Sequence, residues 1–246
     1  MNKYLVSQIG TFHTNHNEDA AIITELGNNQ HLLAVLDGCS MGKESHFAST
    51  LMVKVLRKLA TEMNYKTFVE KTNLTAGELL PKIMKRLFEV LKQIKNQLLL
   101  EREEMLSTLV LGIFDSRRNQ LEIITIGDGL VCCNGQLFEY EQDDKPDYLG
   151  YHLTEDFDTW FSQQTQRLSF QQVRDFSLAT DGIFTFRPFD NNTYDHINTK
   201  DLLPYLLIDG TWGKQTNMLK RKLSEIESNF GLRPSDDLTI VRINNH

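Results

Sequence analysis

The chain has 246 residues, 40% of them hydrophobic and 24% charged, with a formal net charge of −7. That length can bury a substantial core as one large domain, and the negative charge argues against sustained nucleic-acid binding, which rests on clustered Lys and Arg. No uncharged apolar run approaches the roughly 18 residues that a membrane helix needs. The three cysteines (Cys39, Cys132, Cys133) are odd in number, two of them adjacent, and lack Cys-x-x-Cys spacing. The opening Met-Asn-Lys-Tyr-Leu-Val-Ser-Gln has no signal-peptide core, so a cytoplasmic chain with neither membrane nor nucleic-acid partners is expected. No Pro/Gly/Ser-rich linker divides it, and residues 1–246 are expected to form a single domain.

In chain order, residues 3–9 and about 20–26 read as short strands, and His31–Leu36 is an apolar run of strand length that stops at Asp37-Gly38. From about 43 to 63 apolar residues recur three and four apart (Phe47, Leu51, Val55, Leu59), which predicts an amphipathic helix. A second long helix is predicted over 76–104 from Leu79, Ile83, Leu87, Leu91, Ile94 and Leu98. Strands then return at Leu106–Phe114, Gln120–Ile126, Leu130–Cys133 and Gln136–Tyr140, with Asn134-Gly135 a hairpin signal between the last two. Residues 141–170 are polar and irregular and are expected as an exposed flap or insertion. Val173–Thr180 reads as a strand, 199–208 and 214–229 as helices, and Leu238–Ile243 as a terminal strand. This order is neither βαβ repetition nor an all-β series, and it argues for an α+β fold with helices over the outer faces of its sheets.

Three apolar runs end in Asp-Gly, at Asp37-Gly38, Asp128-Gly129 and Asp181-Gly182. Two more acidic pairs, Glu18-Asp19 and Asp236-Asp237, stand just before strands. Carboxylates repeated at strand ends suit a hard divalent cation, which takes oxygen ligands and keeps several waters. The glycines permit positive φ and close backbone approach, so that a glycine carbonyl could itself coordinate. Two such ions about 4 Å apart can lower the pKa of a shared water and clamp a phosphoryl group. Any single Asp-Gly is more often only a turn, so the residues by themselves point to a metal hydrolase without naming its substrate.

Taken together and in order, these motifs resemble the type 2C, or PPM, family of metal-dependent serine/threonine protein phosphatases. The resemblance is carried by Asn17-Glu18-Asp19-Ala20, Ala34-Val35-Leu36-Asp37-Gly38, Ser107-Thr108, Ile126-Gly127-Asp128, Leu178-Ala179-Thr180-Asp181-Gly182-Ile183 and Asp236-Asp237-Leu238-Thr239. It implies a four-layer α-β-β-α sandwich, with two mainly antiparallel sheets flanked by helix pairs and two or three Mn²⁺ or Mg²⁺ ions in a cleft at one edge. By position it implies that Asp37 bridges two ions, with Asp181 and Asp236 completing the first site. Glu18 and the Gly38 carbonyl would serve the second site with Asp19 in support, and Asp128 with Asp181 would hold a third. The nucleophile would be a bridging water and the substrate a phosphoprotein met by a monomer. Where the family often carries a phosphate-gripping arginine this chain has Thr14, and the nearest cationic candidates are His13 and His16. The usual His-Gly after the second motif is replaced by Cys39-Ser40, and Asp237 stands where asparagine is common. Two other readings compete: an inactive phosphatase-like binding module, and a phosphohydrolase of a small metabolite.

Overall fold

The computed structural model describes residues 1–70, 73–142, 146–190, 194–195 and 197–245. Strands β1 (Asn2–Gln8), β2 (Ala20–Gly27) and β3 (Gln30–Leu36) lead into helices α1 (Phe47–Glu70) and α2 (Ala76–Leu98). Next come β4 (Leu109–Asp115), β5 (Gln120–Ile126), β6 (Gly129–Cys133) and β7 (Gln136–Tyr140), then the short helices α3 (Leu149–His152) and α4 (Phe157–Gln163). The chain continues through β8 (Arg167–Phe170), β9 (Asp175–Ala179), β10 (Phe186–Pro188), α5 (Thr199–Leu207), α6 (Met218–Phe230), β11 (Leu232–Pro234) and β12 (Leu238–Asn244).

Two five-stranded antiparallel sheets form, in the orders β1-β12-β9-β6-β7 and β2-β3-β4-β5-β8, beside a small β10-β11 ribbon. The alternation along β3 shows how they stack. Leu33 and Val35 join Val131, Phe176, Leu178 and Val241 between the two sheets. Leu32, Ala34 and Leu36 face the other way, into a cluster with Met52, Leu56 and Leu87 of α1 and α2. On the far side, Ile240 of β12 packs with Leu206 of α5 and with Leu219 and Ile226 of α6. The result is the expected α-β-β-α sandwich. Its central strands are apolar on both faces, which is why they read as continuous hydrophobic runs.

Three expectations need correction. Helix α2 opens on a capping box, with Thr75 and Glu78 satisfying each other's backbone N–H, but it ends at Leu98 rather than 104. Leu99 turns into the left-handed region (φ 54°) and a separate 3₁₀ turn follows at Glu103–Met105. Residues 141–170 are not featureless: α3, α4 and β8 lie there, and Leu149, Leu153 and Trp160 are buried under the α1–α2 layer. Helices of four and seven residues are too short to show a period, so nothing in the pattern announced them. Residues 143–145 of that segment lie outside the described residues. The glycines after Asp37 and Asp181 do not take positive φ. They are required instead by crowding, since a Cβ on Gly38 would stand 2.1 Å from the Ser45 carbonyl oxygen and one on Gly182 1.9 Å from that of Asp237.

Candidate active site

The acidic motifs lie far apart in sequence, and hydrogen bonds between them show that the fold gathers them. Asp37 follows the last residue of β3. Its N–H donates to Thr108 Oγ1 (3.1 Å) and its carbonyl accepts from Thr108 N–H (2.9 Å), while Gly38 bridges to Ser107. The Ser107-Thr108 motif therefore braces the backbone of Asp37. Glu18 is tied to the same turn, because its carbonyl accepts from Gly38 N–H (3.1 Å) and from Ser49 Oγ (2.5 Å) and its Oε2 accepts from Ser40 Oγ (3.0 Å). Asp19, one residue on, reaches across to the other sheet: Thr180 Oγ1 donates to Asp19 Oδ2 at 2.7 Å. Thr180 is in turn held between β9 and β12 by its own N–H to the Thr239 carbonyl (3.0 Å) and by Thr239 N–H to its hydroxyl (2.9 Å).

Asp237 has a role that the sequence left open. It is buried, and its two carboxylate oxygens accept separately from Gly10 N–H (2.7 Å) and Glu18 N–H (2.5 Å). It thus anchors the loop before β2, and with it Glu18, to the start of β12. An asparagine there would present an NH₂ to one of those two donors. His13 Nδ1 stands 2.8 Å from Asp237 Oδ2, a charge contact without hydrogen-bond alignment, and its Nε2 is 3.6 Å from Asp236 Oδ1. Burial lowers the affinity of His13 for a proton, but the carboxylates of Asp237, Glu18 and Asp236 outweigh it and raise the pKa.

The cleft is electrostatically crowded. Burial drives the Asp19 carboxyl well above the usual range, against hydrogen bonds from Thr180 and Thr239 that favour its ionised form. Asp37 moves the same way, first through burial and then through the charges of Asp19, Asp181 and Asp236. Asp181 is pushed up to about 6 by burial, Asp236 and Asp128. Oδ1 of Asp19 is buried without a hydrogen-bond partner. Crowded acids that raise one another, with an orphaned oxygen among them, are the chemistry expected of an all-oxygen cation site. Among the described residues no group of three His, Cys, Asp or Glu side chains is already gathered to hold an ion.

Of the residues singled out in the sequence, Glu18, Asp19, Asp37, Asp128, Asp181 and Asp236 thus share one electrostatic neighbourhood with His13. Asp128 occupies the link between β5 and β6, where Gly127 takes φ +79° and a Cβ would also stand 2.3 Å from the Asp147 carbonyl oxygen, so that both the dihedral and the space call for glycine. His16 is different: its ring stacks on His46 at 4.5 Å and it forms no ion pair among the described residues. Cys39 is packed against Leu106 and Tyr148. Sequence reasoning missed the supporting groups Ser40, Ser49 and Thr180, whose hydroxyls carry no spacing signal.

A family model described as Protein phosphatase 2C matches residues 10–213. No curated protein matches the sequence. Solved structures share the fold at low identity. A bacterial serine phosphatase carrying an arginine substitution aligns with a TM-score of 0.64 at 16% identity, covering 100% of this chain and 99% of that one. The serine/threonine phosphatase Stp1 from Staphylococcus aureus aligns at 0.62 and 15% identity, covering 99% and 95%. RsbX in complex with magnesium aligns at 0.54 and 12% identity, covering 98% and 92%.

Proposed function

The chain belongs to the protein phosphatase 2C family, and from that membership we propose that it hydrolyses phosphoserine and phosphothreonine in proteins, as one catalytic domain acting as a monomer in the cytoplasm. Asp37, Asp181 and Asp236 are the ligands of one divalent cation, Mn²⁺ or Mg²⁺. Glu18 and the Gly38 carbonyl serve a second with Asp19 in support, and Asp128 with Asp181 serve a third. When bound, such ions supply an acidified water as nucleophile and neutralise charge on the phosphoryl group.

The observation that carries this reading is the bond from Thr180 to Asp19, which joins the acidic end of one sheet to the acidic end of the other. Ligands from both sheets then meet at one edge of the sandwich, held by backbone contacts rather than by long side chains. Asp19, Asp37 and Asp181 must give up protons to act as ligands, so cation loading tightens as pH rises. His13, whose proton affinity the carboxylates of Asp237, Glu18 and Asp236 raise against its burial, is the group we assign to meet substrate phosphate where Thr14 offers no charge. Three cysteines, all free and buried, accord with a reducing compartment. No described helix is long and apolar enough to cross a membrane.

The test is phosphate release from a phosphothreonine peptide with Mn²⁺, Mg²⁺ or EDTA, beside Asp37→Asn and Asp181→Asn. Metal-dependent release that both substitutions cut by several orders of magnitude is the expected result. A folded, metal-binding wild type as inert as its variants would leave a binding module instead.

A further inference from the structure

Strand β1 closes one end of its sheet and pairs with β12 alone among the described strands, so the backbone groups on its outer side are offered to a further strand. Edge strands are ordinarily blunted by charge, proline or a bulge. β1 has neither proline nor bulge: it keeps register with β12 from Asn2 to Gln8, its one charged residue is Lys3, and Leu5 is 47% exposed. Ile9, just past its end, is 41% exposed. Between this edge and α6 runs a groove of about 1040 Å³. Gly10 and His13 line it too. These residues belong to the carboxylate centre, since Gly10 N–H is held by Asp237 and His13 sits against Asp236.

We propose that this groove is the docking track for the substrate polypeptide. An extended segment flanking the phosphorylated residue adds to the edge of β1 as a further strand, resting apolar side chains on Leu5 and Ile9 and an acidic one on Lys220. The proposal rests on the phosphatase reading. Three features favour a substrate chain over other occupants. The groove is continuous with the centre where the phosphoryl group must lie. Its charge is opposite to that of the molecule: the chain carries −7, whereas the groove holds Lys220 and Arg233 against Glu227, and Glu227 is paired with Arg233. Lys220 has no ion-pair partner among the described residues. The volume also reaches the top of the range of about 300–1,000 Å³ that suits small-molecule ligands, leaving room for several residues. Strand addition gives affinity through the backbone, and flanking pockets then select side chains.

The test compares two substrates of the full chain with Mn²⁺: a small aryl phosphate and a phosphothreonine peptide of about a dozen residues with acidic and apolar flanks. Ile9→Lys and Lys220→Glu are the variants, both at surface positions. KM for the peptide is expected to rise about tenfold in each, with kcat for the peptide and all constants for the aryl phosphate unchanged. N-methylation of alternate amides along one edge of the peptide should reproduce the loss. Unchanged peptide KM in both variants overturns the proposal, as does a self-paired dimer that Ile9→Lys dissociates without altering peptide KM. Failure to turn over either substrate defeats the phosphatase reading, and fluorescence anisotropy of the labelled peptide then decides the groove. Weaker binding in the variants upholds it and equal binding overturns it.

Discussion

At the scale of single residues, Asp237 shows what a sequence hides. Its acidic side chain is visible in the motif, yet only the fold reveals that each oxygen accepts from a different backbone N–H, of Gly10 and of Glu18. Replacing it with asparagine keeps the size but turns one acceptor into a donor facing a donor. A buried group left unsatisfied costs about 1–3 kcal/mol, so Asp237→Asn is expected to lower unfolding stability by about that amount in urea titrations. It should also weaken Mn²⁺ binding, measured calorimetrically, because Glu18 loses its anchor. Equal stability and metal affinity would mean that the loop is held by other contacts. The acidic motifs themselves were legible, since a carboxylate next to glycine at a strand end is a residue-type signal. Ser40, Ser49 and Thr180 were not, because a hydroxyl that braces a neighbour looks like any other serine or threonine.

At the scale of elements, long periodic segments were readable and their ends were not. The rhythm of Leu79, Ile83, Leu87 and Leu91 fixes α2, and its start is marked by Thr75 and Glu78. The C-terminal end carries no such sign. A helix commonly stops on a glycine in the left-handed region, as α6 does at Gly231 (φ 62°). Here Leu99 takes that conformation while 86% exposed, so its side chain gains little in return. A non-glycine residue in this region is strained by about 1 kcal/mol. Leu99→Gly is therefore expected to raise stability by about 0.5–1 kcal/mol, seen as a higher urea midpoint with an unchanged slope. A lower midpoint would show that the Leu99 side chain contributes packing. The 141–170 segment fails for a different reason: Trp160, against Phe88 at 4.5 Å between ring centroids, is a tertiary contact with no local periodicity to foretell it.

At the scale of the whole molecule, strand order is what sequence could least supply, because β1 pairs with β12 from the opposite end of the chain. The resemblance to a known family implied two packed antiparallel sheets, but not this pairing of the chain's two ends. The pairing matters for pH as well as for shape. His31 of β3 is buried, and Lys3 Nζ of β1, in the other sheet, approaches its Nδ1 at 3.4 Å. Burial and then the Lys3 charge depress the His31 pKa to about 4, with Glu25 and Asp115 pulling weakly the other way. In the unfolded chain the value returns to about 6.5. Between those two values the unfolded state binds more protons, so stability rises with pH across the window. His31 therefore contributes fully above about pH 6.5 and loses its contribution as pH falls toward 4, by on the order of 1–3 kcal/mol. The raised carboxyls of the cleft act in the opposite sense, since a folded state that holds their protons more tightly is favoured at low pH. A wild-type stability curve therefore mixes the two effects, and the difference between wild type and His31→Gln separates them. Urea unfolding at pH 7.5 and pH 5 is expected to show the wild type losing more stability than the variant on acidification. Parallel losses in the two proteins would show that His31 takes up its proton in the folded state as readily as in the unfolded one, and that the contact between the sheet edges at Lys3 does not govern it.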